Sequence, residues 1–119
     1  MTEISVGLAG LGFMARTHTY SLKEISEPKV DITAGWSKFP EEHSSYDDFA
    51  EGLDFEVDAY YTDLDEMLET EEIDALIFTV PPLFSKQYLE KIIEADQTTF
   101  LECPPTDSLK ETTGIAEAA

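Results

Sequence analysis

Hydrophobic and polar positions fall into two alternating kinds of block along this chain. Short runs that are apolar at nearly every position, or that alternate, occur at 4–9, 30–36, 57–61, 74–80 and 98–101 and predict five strands. Longer stretches with helical spacing separate them, at 13 to about 25, 40 to about 53, 64 to about 69, 83 to about 95, and from Ser108 onward. In the first helix Met14, Tyr20 with Ser21, Leu22 and Ile25 offer an apolar stripe. In the fourth, Leu89, Ile92 and Ile93 mark the buried side. The run Ala75-Leu76-Ile77-Phe78 is apolar throughout, as a central parallel strand covered on both faces should be.

Punctuation agrees with this pattern. Pro28 breaks the chain between the first helix and the second strand, and Pro81-Pro82 and Pro104-Pro105 follow the fourth and fifth strands. Pro40 opens a helix whose first turn carries Glu41 and Glu42, where carboxylates favour the helix dipole. Thr62 or Asp63 caps the short third helix, and Ser108 with Glu111 reads as a capping box for the last. Strand and helix therefore alternate with short connections. The expected fold is an α/β, Rossmann-type, doubly wound parallel sheet in three layers, with strand order 3-2-1-4-5 and one domain over residues 1–119.

Charge narrows the partners. The chain of 119 residues has 26 Asp and Glu against 7 Lys and Arg, a formal charge of −19. No basic patch exists to displace counterions from a phosphate backbone, so nucleic acid is excluded as a partner, and an anionic membrane surface would repel the chain. The acids are spread along the sequence, as on a heavily solvated surface. Cys103 is the lone cysteine, no apolar stretch reaches the roughly 20 residues of a membrane helix, and the N-terminus has no basic and apolar leader pattern. A cytoplasmic location is expected.

The chemistry concentrates at the end of the first strand. Gly10, Gly12 and Ala15 form G-x-G-x-x-A between a strand and a helix, the context in which such glycines bind a dinucleotide. Gly10 allows the tight turn, Gly12 lets backbone approach a pyrophosphate, and Ala15 lets helix and strand pack closely. The N–H groups of Phe13 and Met14 then stand at a helix N-terminus, which favours an anion. The topological switch between strands one and four puts residues 10–15 opposite 79–82. The acidic pairs show no metal-ligand spacing, His18 and His43 read as a helix residue and a surface residue, and Trp36, Tyr60 and Tyr61 read as core or edge positions.

The segments "ISVGLAGLGFMARTH", "ITAGWSKFPE", "YYTDLDEMLETEEIDALIFTVPP" and "LECPP" follow one another as in the Gfo/Idh/MocA oxidoreductases, and the chain resembles the nucleotide-binding half of that family. The resemblance implies that Gly10, Gly12, Phe13, Met14, Ala15, Val80, Pro81 and Glu102 serve a dinucleotide, with Glu102 near the nicotinamide ribose. It aligns Ser37-Lys38 with the residues that hold the adenosine ribose, where many NAD-dependent relatives carry Asp. A hydroxyl and an ammonium suit a 2′-phosphate better than a carboxylate does, so NADP is expected over NAD. The family lysine of E-K-P is replaced by Cys103, and the polar residue and His that often follow strand four are replaced by Pro82, Leu83 and Phe84. The resemblance covers the nucleotide-binding half alone, so the family's second, substrate-binding domain is not expected within these 119 residues, and a thiol is no substitute for a long cation. The expectation is thus a cofactor domain of an oxidoreductase acting, in full-length members, on a sugar or polyol. The chain alone is not expected to be catalytic, and its partner would be a homodimer mate or the missing C-terminal domain. The alternative is a non-catalytic dinucleotide-binding or interaction domain that self-associates.

Overall fold

The computed structural model describes residues 3–26, 28–102, 106 and 108–118. Five parallel strands, β1 (Glu3–Ala9), β2 (Lys29–Trp36), β3 (Ala59–Tyr61), β4 (Ala75–Phe78) and β5 (Thr99–Leu101), form one sheet in the order β3-β2-β1-β4-β5. Helices α1 (Phe13–Lys23), α2 (Glu41–Glu51), α3 (Leu64–Thr70), α4 (Pro82–Glu94) and α5 (Leu109–Ala118) alternate with them. The expected order and the three layers are both present.

Two apolar clusters lie on the two faces of the sheet. Val6, Leu8, Ile32 and Ile77 pack with Leu11, Ala15, Tyr46 and Ala50 from the α1 and α2 side. Ala9, Ala34, Trp36, Leu76 and Phe78 pack with Leu64, Met67, Leu89, Ile92 and Ile115 from α3, α4 and α5. Side chains alternate faces along a strand, so Ile32 should share a face with Ala34 and Trp36. It does not, because β2 carries an extra residue. Val6 pairs with Ile32 while Gly7 pairs with Ala34, which leaves Thr33 as a bulge. The bulge turns the end of β2 over and sends Trp36 into the second cluster, where it is 1% exposed and donates Nε1–H to the Thr62 carbonyl at 3.1 Å. Burying a side chain of this size stabilises the fold by roughly 2–3 kcal/mol.

The face of α1 departs from the sequence expectation. Ala15 and Thr19 are its buried residues, whereas Met14 and Tyr20 are exposed. The glycine turn fixes the rotation of this helix by pressing Ala15 on the strand, and Thr19 follows one turn later. Thr19 is tolerated there because its hydroxyl donates to the Ala15 carbonyl at 2.9 Å and pairs with the Tyr46 hydroxyl at 2.5 Å. Burial outweighs that bond and raises the Tyr46 phenol above its ordinary pKa. The helix ends at Lys23, short of Ile25, which is exposed.

The remaining ends are set by caps. Asp63, not Thr62, caps α3, its carboxylate accepting from the N–H groups of Asp65 at 3.0 Å and Glu66 at 3.4 Å. Ser108 Oγ accepts from the Glu111 N–H at 3.0 Å, the Ser half of the expected capping box. No helix among the described residues is long and apolar enough to cross a membrane.

Candidate functional site

The turn between β1 and α1 is built around Gly10. Its φ of +100° lies where side chains are strained, and a Cβ there would stand 2.8 Å from Thr79 Oγ1 and 3.2 Å from the Thr79 carbonyl carbon. Glycine thus serves two needs at once, the turn and the close approach of the β4 end. Around it the Gly10 N–H donates to the Trp36 carbonyl at 2.7 Å. The Thr79 N–H donates to the Ala9 carbonyl at 2.9 Å, and the Thr79 hydroxyl donates to the Gly10 carbonyl at 3.3 Å. The ends of β2, β1 and β4 are joined directly beneath the site.

Gly12 is different. Its φ is −83°, which any residue adopts, and the nearest atom to a Cβ built on it is Glu42 Oε1, 3.9 Å away. A side chain here would meet little protein and would fill the open cleft. Gly12 is also the N-cap of α1 and supplies no side-chain cap, so the first N–H groups of the helix face outward without a protein acceptor from the cap. No acidic residue occupies the first turn of α1. This backbone cradle at a bare helix N-terminus fits the diphosphate of a dinucleotide.

The cleft has a volume of about 440 Å³ and lies at the carboxyl ends of β1, β2 and β4. It brings together Gly10, Gly12, Phe13, Met14, Ser37, Lys38, Val80, Pro81 and Glu102, nine of the residues expected from the sequence. Ala15 is not on its wall; fully buried in the α1 cluster, it acts behind the site by letting the helix sit close to the sheet. Arg16 turns away, pairing with Ser45 and lying 5.8 Å from the centroid of Phe49. Cys103 and Pro104 lie outside the described residues.

On the β2 side, Ser37 is 1% exposed; its hydroxyl donates to Glu42 Oε2 at 2.5 Å and accepts from the Phe39 N–H at 3.0 Å. The Lys38 ammonium lies 3.9 Å from the ring centroid of Phe84, and Phe39 meets Phe84 edge to face at 6.2 Å. On the β5 side, His18 Nε2 pairs with Glu102 Oε1, and the His18 ring packs edge-on to Phe100 at 5.3 Å. Glu102 is thereby held from α1 across the top of the sheet. His43, expected at the surface, is half-buried and stacked on Tyr60 at 5.0 Å with an interplanar angle of 17°.

Sequence reasoning placed Thr79 at the cleft but missed Glu42 and Phe39. Glu42 registered only as a first-turn carboxylate; its position five residues past Ser37, across a one-turn connection, is the signal that was available. The expectation for NADP rested on the lack of a carboxylate near residue 37, and the fold brings one there from the next helix.

The whole chain compares well with known proteins. A family model described as an oxidoreductase family with an NAD-binding Rossmann fold, Gfo/Idh/MocA, matches residues 4–119. An uncharacterized protein of Saccharomyces cerevisiae is 30% identical over 99% of this chain and 34% of its own length. Among solved structures, an oxidoreductase from Thermotoga maritima superposes with a TM-score of 0.81 at 24% identity, over 98% of this chain and 35% of that one. The myo-inositol dehydrogenase of Lactobacillus casei, solved with NAD(H) and myo-inositol, gives a TM-score of 0.81 at 20% identity, over 98% and 33%. The chain spans about a third of the length of these relatives. With the strand order, the glycine turn and the cleft in place, the chain belongs to the Gfo/Idh/MocA oxidoreductase family.

Proposed function

We propose that this chain is the cofactor-binding part of a nicotinamide-dinucleotide-dependent oxidoreductase whose whole form acts on a sugar or polyol-like substrate. The observation that carries the reading is the cleft above Gly12, where an open cradle, a bare helix N-terminus and the ends of three strands converge. When bound, the dinucleotide supplies the hydride chemistry. The chain's own residues bind and orient it. The N–H groups of Phe13 and Met14 hold the diphosphate, Val80 and Pro81 form an apolar wall, and Glu102, fixed by His18, accepts from ribose hydroxyls on the nicotinamide side. The inositol dehydrogenase likeness supports the substrate class for the whole protein. The chain alone binds cofactor without turnover, because the family lysine position holds Cys103.

Among the described residues Lys38 is the one cation on the cleft wall, and it favours a 2′-phosphate; Glu42 opposes it. The direct test is titration with NADH and NADPH, followed by nicotinamide fluorescence or calorimetry at low and high salt. Gly12→Val should weaken binding at least about tenfold by filling the cradle, while changing stability by no more than about 1 kcal/mol. Absence of binding to either dinucleotide by the unaltered chain would overturn the cofactor reading.

A second reading concerns the rim. Phe13 is 79% exposed and Leu83 70% exposed, beside the cleft at the starts of α1 and α4. This apolar rim supports an interface with a second domain or a second copy of the chain. Sedimentation of the unaltered chain against a Phe13→Ser, Leu83→Ser variant tests self-association directly.

A further inference from the structure

We propose that Glu42 reads the 2′ position of the adenosine ribose and selects NAD(H) over NADP(H). The inference rests on the dinucleotide reading above and assigns its specificity to a helix residue. Glu42 stands in the first turn of α2 and reaches the cleft between Gly12 and Ser37.

Its carboxylate is aimed, not free to wander. Ser37 has a single hydroxyl proton, and that proton is spent on Glu42 Oε2 at 2.5 Å. The Ser37 oxygen is itself fixed by the Phe39 N–H at 3.0 Å, and the residue is buried. Ser37 therefore positions a carboxylate and has no proton left for a phosphate. Glu42 Oε1 lies 3.9 Å from the place a Cβ would occupy on Gly12, so it faces the cradle; among the described residues no hydrogen bond reaches it. A carboxylate accepts at both oxygens, and a vicinal diol offers two donors. A ribose with free hydroxyls satisfies Oε1, whereas a 2′-phosphate brings about two negative charges against it.

Lys38 does not reverse this. Its ammonium sits over the Phe84 ring, on the α4 side of the mouth, and its net effect on a 2′-phosphate is set against a carboxylate fixed on the β2 side.

The experiment compares NADH and NADPH affinities of the unaltered 119-residue chain, Glu42→Gln, Glu42→Ala and Ser37→Ala, each checked for folding by circular dichroism. The expected result is at least about tenfold tighter NADH binding by the unaltered chain, with the ratio reduced about fivefold or more in Glu42→Gln. Ser37→Ala should move the ratio the same way by a smaller factor. The preference of the unaltered chain should shrink as salt is added, and that of Glu42→Gln should not, because screening acts only on the charge. Equal binding of the two by the unaltered chain, or a ratio untouched in Glu42→Gln, overturns the assignment of Glu42 while leaving the cofactor reading standing. No binding of either dinucleotide overturns both. Glu42→Gln keeps the side chain's size, so a folding failure of Glu42→Ala does not remove the test.

Discussion

The two ends of this sheet carry cavities of opposite character. At the carboxyl ends of the strands lies the 440 Å³ cleft, with the N-terminus of α1 beside it. At the amino ends lies a larger space of about 710 Å³, between the C-terminal ends of α1 and α2 and the starts of β2 and β3. Among the described residues it is lined by Asp31, Asp47, Glu51, Asp54, Glu56 and Asp58, with Lys23 and Lys29 opposite in sign. In a parallel α/β fold the helices all point the same way, so their negative dipole ends collect where these carboxylates collect. The larger cavity is therefore the worse place for a phosphate. Carboxylate charge and the direction of the peptide dipoles, not volume, make the cleft the better end of the sheet for an anion.

That contrast can be broken first at Gly10. Gly10→Ala places a Cβ 2.8 Å from Thr79 Oγ1 on a backbone with φ of +100°. It should cost about 2–4 kcal/mol, seen as a lower urea midpoint, and abolish the cleft with it. A variant as stable as the parent would show that the strand ends are not locked as described. At the other end, Asp54 adopts a φ of 59° just after α2 and lines the acidic cavity. Asp54→Gly relieves both the backbone and a repelled charge, and should raise stability by about 0.5–1 kcal/mol without altering dinucleotide affinity.

The smallest effect belongs to Asp31. Burial first, then the carboxylates of Asp58 and Glu3, raise its carboxyl above the ordinary value of 3.8, against a weaker opposing pull from Lys29. The folded chain thus holds this proton more tightly than the unfolded chain. Its contribution is most favourable below the ordinary value and is lost as pH climbs through the raised one. Asp31→Asn should gain no more than about 0.5 kcal/mol at neutral pH, the range for a partly exposed site, and nothing at acid pH. A gain that persisted in acid would point to packing and away from charge. Unchanged NADH affinity in both cavity variants would confirm that only one end binds.

The sequence carried the architecture because periodicity and punctuation report burial directly. Five apolar runs, the prolines and the G-x-G-x-x-A turn were enough for the strand order and for most of the cleft wall. Three things were not legible. The Thr33 bulge leaves no mark in composition, since an extra residue in a β-rich run still looks like strand; only pairing with Val6 and Gly7 exposes it. The rotation of α1 was misjudged because Met14 and Tyr20 are apolar by type, whereas the close fit of Ala15 to the strand decided the face. Glu42 was missed as a site residue for a related reason, its closeness to Ser37 in sequence being the one clue. Proximity to Ser37 and Gly12 arises from a chain reversal, and no spacing rule for strand-end acids covers the following helix.

The three hydrogen bonds under the cleft, two of them between backbone groups, also apportion the entropy of binding. Because Gly10 is tied to Trp36, and Thr79 to both Ala9 and Gly10, the floor has almost no conformational freedom left to surrender when a ligand arrives. The loss falls instead on Lys38, Phe39 and Phe84 at the mouth, whose contacts with one another must be rearranged or extended over the ligand. Amide exchange should make the division visible, with Gly10 and Thr79 exchanging only when the central sheet opens.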